Sequence, residues 1–439
     1  MHEILRERDI TGLFRFLKTR GWSRAVIASA AGLSETRVRA ICLGTQQVSS
    51  YEVLERIAAG FDIDRGLLGL AYADAAVAAL PAVAGEPRLP DPSAYADFTG
   101  TLAALAVGSP PHDLDRMLPP PPPPATNVPR QVTAANIHVL REMSERHRRF
   151  DANLGGGACR ESAVAYLRWA HGMLGSRFDS EHTERELKAA LSDMYQVAGW
   201  ACHDLGDHAE ARRYLTAGLA LAREIDDLVL IAGAFYRLGR VSIHQQRARE
   251  ALTLWQLGQI VAQDSGCLAA VAVLHANEAW AYAMLGADER VADALARAEG
   301  ERGRVDTAEV PSWAEFFLAP ADIDGIASVI YNSLAAHEEH RSRYTPVAID
   351  RAAAAFAHRR PGEDRSRAFD AISLAGGYLL DGQLEQAESN GHLAVDLTRQ
   401  LASVRAVDRL GAVAELATPY AERSGIAAVV ERISELSSE

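Results

Sequence analysis

Apolar residues recur at three- and four-residue spacing over most of the chain, the period of a helix with one buried face. Ile10, Leu13, Phe14 and Leu17 form one such face. Ile27 and Ala28 begin a second, Val38 and Ile41 a third, and Val53, Leu54, Ile57 and Ala58 a fourth, behind Ser50 as N-cap. The pattern stops across residues 81–130, which hold 13 of the 18 prolines, including the run Pro119–Pro124. Proline removes a backbone donor and clashes with the preceding turn, so this zone reads as a linker over 81–131, with one short helix around Tyr95–Val107. The six-proline run predicts a polyproline II rod of about 19 Å at roughly 3.1 Å per residue. Helical periodicity returns over 132–436 with few prolines.

The third zone repeats. Gly199, Gly239 and Ala279 lie 40 residues apart in similar surroundings, and a later copy starts at Ala375. Each copy predicts a helix, a turn near Gly206, Gln246, Gly286 or Gly382, and a second helix packed through Ala211, Ala251, Val291 or Ala387. One or two degenerate copies are expected across 132–185 and 310–360. Small residues where paired helices meet are the tetratricopeptide pattern, although its usual period is shorter. Such a stack presents a concave face suited to binding.

Residues 23–44 carry the sharpest local signal. Gly32 permits a tight turn, Leu33 plugs the core behind it, Ser34 caps the next helix and Gly44 ends it. These residues resemble the Xre/Cro/phage-repressor helix-turn-helix family. The resemblance implies a five-helix, lambda-repressor-like domain over residues 1–80. The expected fold is therefore all-α: this domain, the linker at 81–131, and a tetratricopeptide-like solenoid over 132–439 that senses and dimerises. Two departures stand out: Arg24 replaces a frequent Gln, and Cys42-Leu43 replaces an acidic-basic pair before the closing glycine. Together, head and repeats resemble peptide-sensing RRNPP-type regulators. They are similar, more closely, to the Xre/tetratricopeptide regulators of development and secondary metabolism in GC-rich bacteria.

If the helix after Gly32 enters a major groove, Glu35, Thr36, Arg37 and Arg39 face base edges, and Arg24, Ser34, Thr45, Gln46 and Gln47 lie beside the backbone. Charge agrees with this division. Residues 1–72 carry ten Arg or Lys and eight Asp or Glu, a balance of +2, so the remainder of a chain with net charge −13 carries −15. The four cysteines form no C-x-x-C pair, and no long apolar span is present, which points to a cytoplasmic protein away from membranes.

On the first helices of the repeats, Gln196, Trp200, Tyr236, Arg240 and Trp280 are the candidates for binding a small-molecule or peptide effector. Their competing role is to fill the gaps between repeats. His203 and His208 straddle a turn and read as solvated. Gly155–Gly157 lacks a following Gly-Lys-Ser/Thr and reads as a helix connector, not a phosphate loop. His337 and His340 are three apart, without the context of a zinc site. No catalytic set, metal site or cofactor is suggested. The expected protein is a non-enzymatic, homodimeric, DNA-binding transcription regulator; the alternative is a scaffold whose helix-turn-helix is an interaction module.

Overall fold

The computed structural model describes residues 10–46, 48, 51–61, 63, 90–122 and 128–438, and is all-α apart from one pair of two-residue strands. The chain divides between Arg88 and Leu89 into two compact units.

The first unit contains α1 (Ile10–Thr19), α2 (Arg24–Ala31), α3 (Glu35–Leu43) and α4 (Tyr51–Gly60). Local chemistry sets their ends. Ser23 Oγ accepts from the Val26 N–H at 3.2 Å, and Ser34 Oγ from the Arg37 N–H at 3.3 Å. Gly32 (φ 61°) and Gly44 (φ 78°) close α2 and α3 in the left-handed region, where a Cβ is strained. The apolar faces meet in one core: Leu13 and Phe14 of α1, Ile27 of α2, Val38 and Ile41 of α3, and Leu54 and Ile57 of α4. Arginines brace the helix ends: Arg15 Nε donates to Cys42 O at 2.7 Å and Arg56 Nη1 to Gly32 O at 3.1 Å. Ser50 and the place of the expected fifth helix lie outside the described residues.

The second unit is built from consecutive helix pairs. They are α6 (Ala134–Leu154) with α7 (Arg160–Gly172), α8 (Glu181–Asp204) with α9 (His208–Glu224), α10 (Leu228–His244) with α11 (Ala248–Ser265), and α12 (Leu268–Met284) with α13 (Asp288–Arg302). There follow α14 (Pro320–Ala335) with α15 (Glu338–His358), α16 (Asp364–Asp381) with α17 (Leu384–Thr398), and α18 (Val404–Ala417) with α19 (Ser424–Ser438). Gly206, Gln246, Gly286 and Gly382, the four expected turn residues, all take positive φ. Ala211, Ala251, Val291 and Ala387 are buried beneath them. Gly239 shows why a small residue recurs: a Cβ there would lie 2.2 Å from Trp255 Nε1.

The proline-rich zone needs correcting. Residues 90–122 are not a free spacer but part of the second unit. The helix α5 (Phe98–Val107) packs on α9 and α11 through Phe98, Leu102 and Leu105. Proline-rich backbone has carbonyls to satisfy and few N–H groups to offer, and buried arginine supplies the donors. Arg213 donates to Pro90 O (2.6 Å), Arg116 O (2.9 Å) and Leu118 O (3.0 Å), while Arg212 pairs with Asp91 at 2.8 Å. Pro123 and Pro124 of the six-proline run lie outside the described residues.

The second unit also closes on itself. Gly155–Gly157 connects α6 to α7 and meets the α17–α18 connection: Gly157 N–H donates to Ala402 O (3.0 Å) and Ala402 N–H to Leu154 O (2.8 Å). A Cβ on Gly155 would lie 2.6 Å from Ala402 O. Three glycines in a row thus allow backbone to approach backbone. Helix α6 touches α16, and α8 touches α18, so the inner helices surround a common interior.

Candidate DNA-contact surface and interior cavity

In the first unit Arg24, Ser34, Glu35, Thr36, Arg39, Thr45 and Gln46 are exposed. Arg37 is half-buried, and its Nε is buried without a hydrogen-bond partner among the described residues. Its neighbours on α3, Val38 and Ile41, are buried. Ser34 spends its hydroxyl on the α3 cap, and Thr45 Oγ1 donates to Ala40 O at 3.0 Å; both close α3. Gln47 lies outside the described residues. Arg15 and Lys18 were not singled out from sequence, yet they line one shallow groove with Arg24 and Arg39. They sit on the polar face of α1 at positions three apart, and the missing information was that α1 lies beside α3. The result is four basic side chains from three helices at one exposed face.

In the second unit a cavity of about 1000 Å³ opens among the inner helices. Trp200 of α8, Tyr236 and Arg240 of α10 line it. Tyr236 stacks between Trp200 (centroids 6.4 Å apart) and Trp313 (5.7 Å), with Phe317 edge-on at 4.9 Å. Two expected residues do not line it. Gln196 is fully buried and holds Arg237, accepting from its Nη1 at 2.9 Å. Trp280 lies behind the wall, with the guanidiniums of Arg240 (4.8 Å) and Arg409 (5.9 Å) over its ring.

The cavity's polar inventory is chiefly arginine. Arg365 pairs with Asp151 (2.7 Å), Arg405 with Asp204 (2.8 Å), Arg148 with Asp193 (2.9 Å) and Arg359 with Asp370 (2.7 Å). Burial pushes Asp204 up, but the adjacent Arg405 and Arg365 outweigh it and hold its carboxyl below the usual range. Arg237, Arg240 and Arg409 have no such partner among the described residues. Arg237 donates to Gln196 and the Gly233 carbonyl, Arg240 to Asn277 at 3.3 Å, and Arg409 reaches His244 Nε2 at 3.3 Å. Burial lowers Arg240, and pushes Arg237 down to about 10. Tyr236 Oη, Trp313 Nε1 and Arg240 Nε are buried polar atoms without a partner among the described residues.

His203 is not solvated, as its place beside a turn had suggested, but fully buried. Its ring lies 3.2 Å from His208 (Nδ1 to Nδ1) and 2.7 Å from His244 (Nε2 to Nδ1). Burial, then the neighbouring cations, hold His203 and His244 well below the ordinary histidine range. The 40-residue period aligns His203 with Ile243 and not with His244, so the repeat spacing did not signal that the two histidines meet. His340 Nε2 contacts Gly286 O at 3.1 Å, and no group of potential metal ligands occurs among the described residues. No described helix is long and apolar enough to cross a membrane. The chain matches no protein-family model and no curated protein.

Proposed function

We propose that the protein is a non-enzymatic, DNA-binding transcription regulator of the cytoplasm, a homodimer whose helical-repeat unit senses an effector. The observation that carries this reading is the basic groove formed by Arg15, Lys18, Arg24 and Arg39 beside the exposed face of α3. In a helix-turn-helix of the Xre type, α3 enters the major groove; Arg39 and Glu35 read base edges while Arg15, Lys18 and Arg24 hold phosphates. A chain of net charge −13 concentrates cations there in spite of its overall sign. The tetratricopeptide-like stack supplies the sensor, and its cavity matches the roughly 300–1,000 Å³ of small-ligand pockets. Binding-site selection with the full-length protein and random duplex DNA tests the reading. The expected outcome is enrichment of an inverted repeat with half-sites about 34 Å apart. Failure to enrich any sequence would leave the repeat unit as a scaffold and remove the regulator reading.

A further inference from the structure

The cavity's charges do not balance within the protein. Its buried carboxylates pair with other arginines: Asp151 through Oδ2 with Arg365, Asp204 with Arg405 and Asp370 with Arg359. Arg240 is 8% exposed, and its guanidinium lies among rings: Trp200 at 6.0 Å, Tyr236 at 5.9 Å and Trp280 at 4.8 Å. Arg409 approaches the same Trp280 ring and lies 4.2 Å from the centre of Phe369. Neither has a carboxylate at salt-bridge distance among the described residues. A buried cation without an anion is costly, and Arg240 is one; Arg409, half-buried, reaches the same ring and also lacks an anion. Tyr236 Oη and Trp313 Nε1 add two unpartnered donors on the same wall, and neither residue is more than 3% exposed. The surface is therefore rich in donors and in ring faces; its carboxylates include Asp151, whose Oδ1 has no hydrogen-bond partner among the described residues, but none lies at salt-bridge distance from Arg240 or Arg409.

We propose that the cavity binds a small organic anion, a planar or apolar body bearing a carboxylate or phosphate, with the oxyanion received by Arg240 and Arg409 and the body stacked among Trp200, Tyr236 and Phe369. This rests on reading the second unit as the sensor and names the class of its effector. Arginine's planar fork matches both oxyanions, so the shared chemistry is the anion and not one of its two sources. A cationic or purely apolar ligand would leave both arginines unpaired and lose more by desolvating them.

The test titrates the full-length protein with anilinonaphthalene sulfonate and, separately, with N-phenylnaphthylamine, the same ring system without the negative charge. The sulfonate should saturate at one per chain. Arg240→Gln and Arg409→Gln should each weaken it about tenfold or more, the scale of a lost charge-assisted bond. Binding of the neutral dye should change by less than about twofold. Arg409→Lys, which keeps the charge and loses the fork, should fall between, and remains informative if Arg240→Gln fails to fold by circular dichroism. Displacement of the sulfonate by naphthyl phosphate or naphthoate, with naphthol far weaker, then separates the two sources. Equal binding of the charged and neutral dyes, or indifference to both arginines, overturns the anion assignment while the sensor reading stands. No saturable binding of either dye overturns both.

Discussion

Gly32 holds φ at 61°, and a Cβ placed there would lie 3.4 Å from the Arg56 side chain, so conformation is the constraint more than space. Gly32→Val should therefore destabilise the first unit by about 1–3 kcal/mol, a large share of a small unit's stability. Thermal unfolding with DNA binding as readout checks it; a variant that melts and binds like wild type would remove the turn from the account. At this scale the sequence was legible wherever geometry dictates a residue type. Gly32, Ser34 and Gly44 were placed from sequence because a left-handed turn and a cap admit few side chains. Arg37, expected to face outward, is half-buried with a buried Nε, a degree of exposure that residue spacing does not encode. Thr45 was assigned to phosphate and spends its proton on α3 instead.

Pairing of helices explains both the repeats and the chemistry they bring together. Gly239→Leu would drive a side chain into Trp255, whose Nε1 a Cβ already approaches to 2.2 Å. The variant should lose about 1–3 kcal/mol or more by overpacking, seen as earlier thermal unfolding of the full chain; unchanged melting would contradict the α10–α11 packing. The histidine chain across α8, α9 and α10 gives a pH dependence. His203 and His244 are held well below 6.5 by burial and by Arg405, Arg240 and Arg409 around them. As pH falls below about 6.5 the unfolded chain takes up protons that the folded chain refuses, so this contribution is complete above 6.5 and shrinks on acidification. Asp370, pushed up to about 6 by burial, works in the opposite direction, so the comparison must be with a variant. His244→Gln should show a smaller fall in melting temperature between pH 7 and pH 5 than wild type; an equal fall would rule the pair out as its source. Three repeat copies were visible at a spacing of 40 and a fourth further on, because close helix contact selects small residues at equivalent positions. The role of residues 90–122 was not, because proline content forbids long helices without forbidding a packed covering segment held by Arg212 and Arg213.

For the whole molecule, the proposed function divides between the two units: the basic groove would receive DNA and the arginine-lined cavity an anion. Sequence indicated the concave aromatic lining through Trp200, Tyr236 and Arg240. It did not indicate Arg409 or Phe369, since these arrive from α18 and α16 only when Gly155–Gly157 lets the helices close. The proposed homodimer predicts two chains of 47.4 kDa on each saturated inverted repeat by analytical ultracentrifugation, once the mass of the duplex is subtracted; a single chain on one half-site would contradict the dimer and spare the DNA assignment. The most direct test of the central claim is the salt dependence of DNA binding, measured by fluorescence anisotropy on the selected duplex. With three or four phosphate contacts per copy, the log–log slope should be about −5 to −7, and Arg24→Ala should flatten it by about 2, one phosphate lost from each copy. A slope near zero, or one that Arg24→Ala leaves unchanged together with the affinity, would contradict the assignment of α3 and its basic groove to DNA.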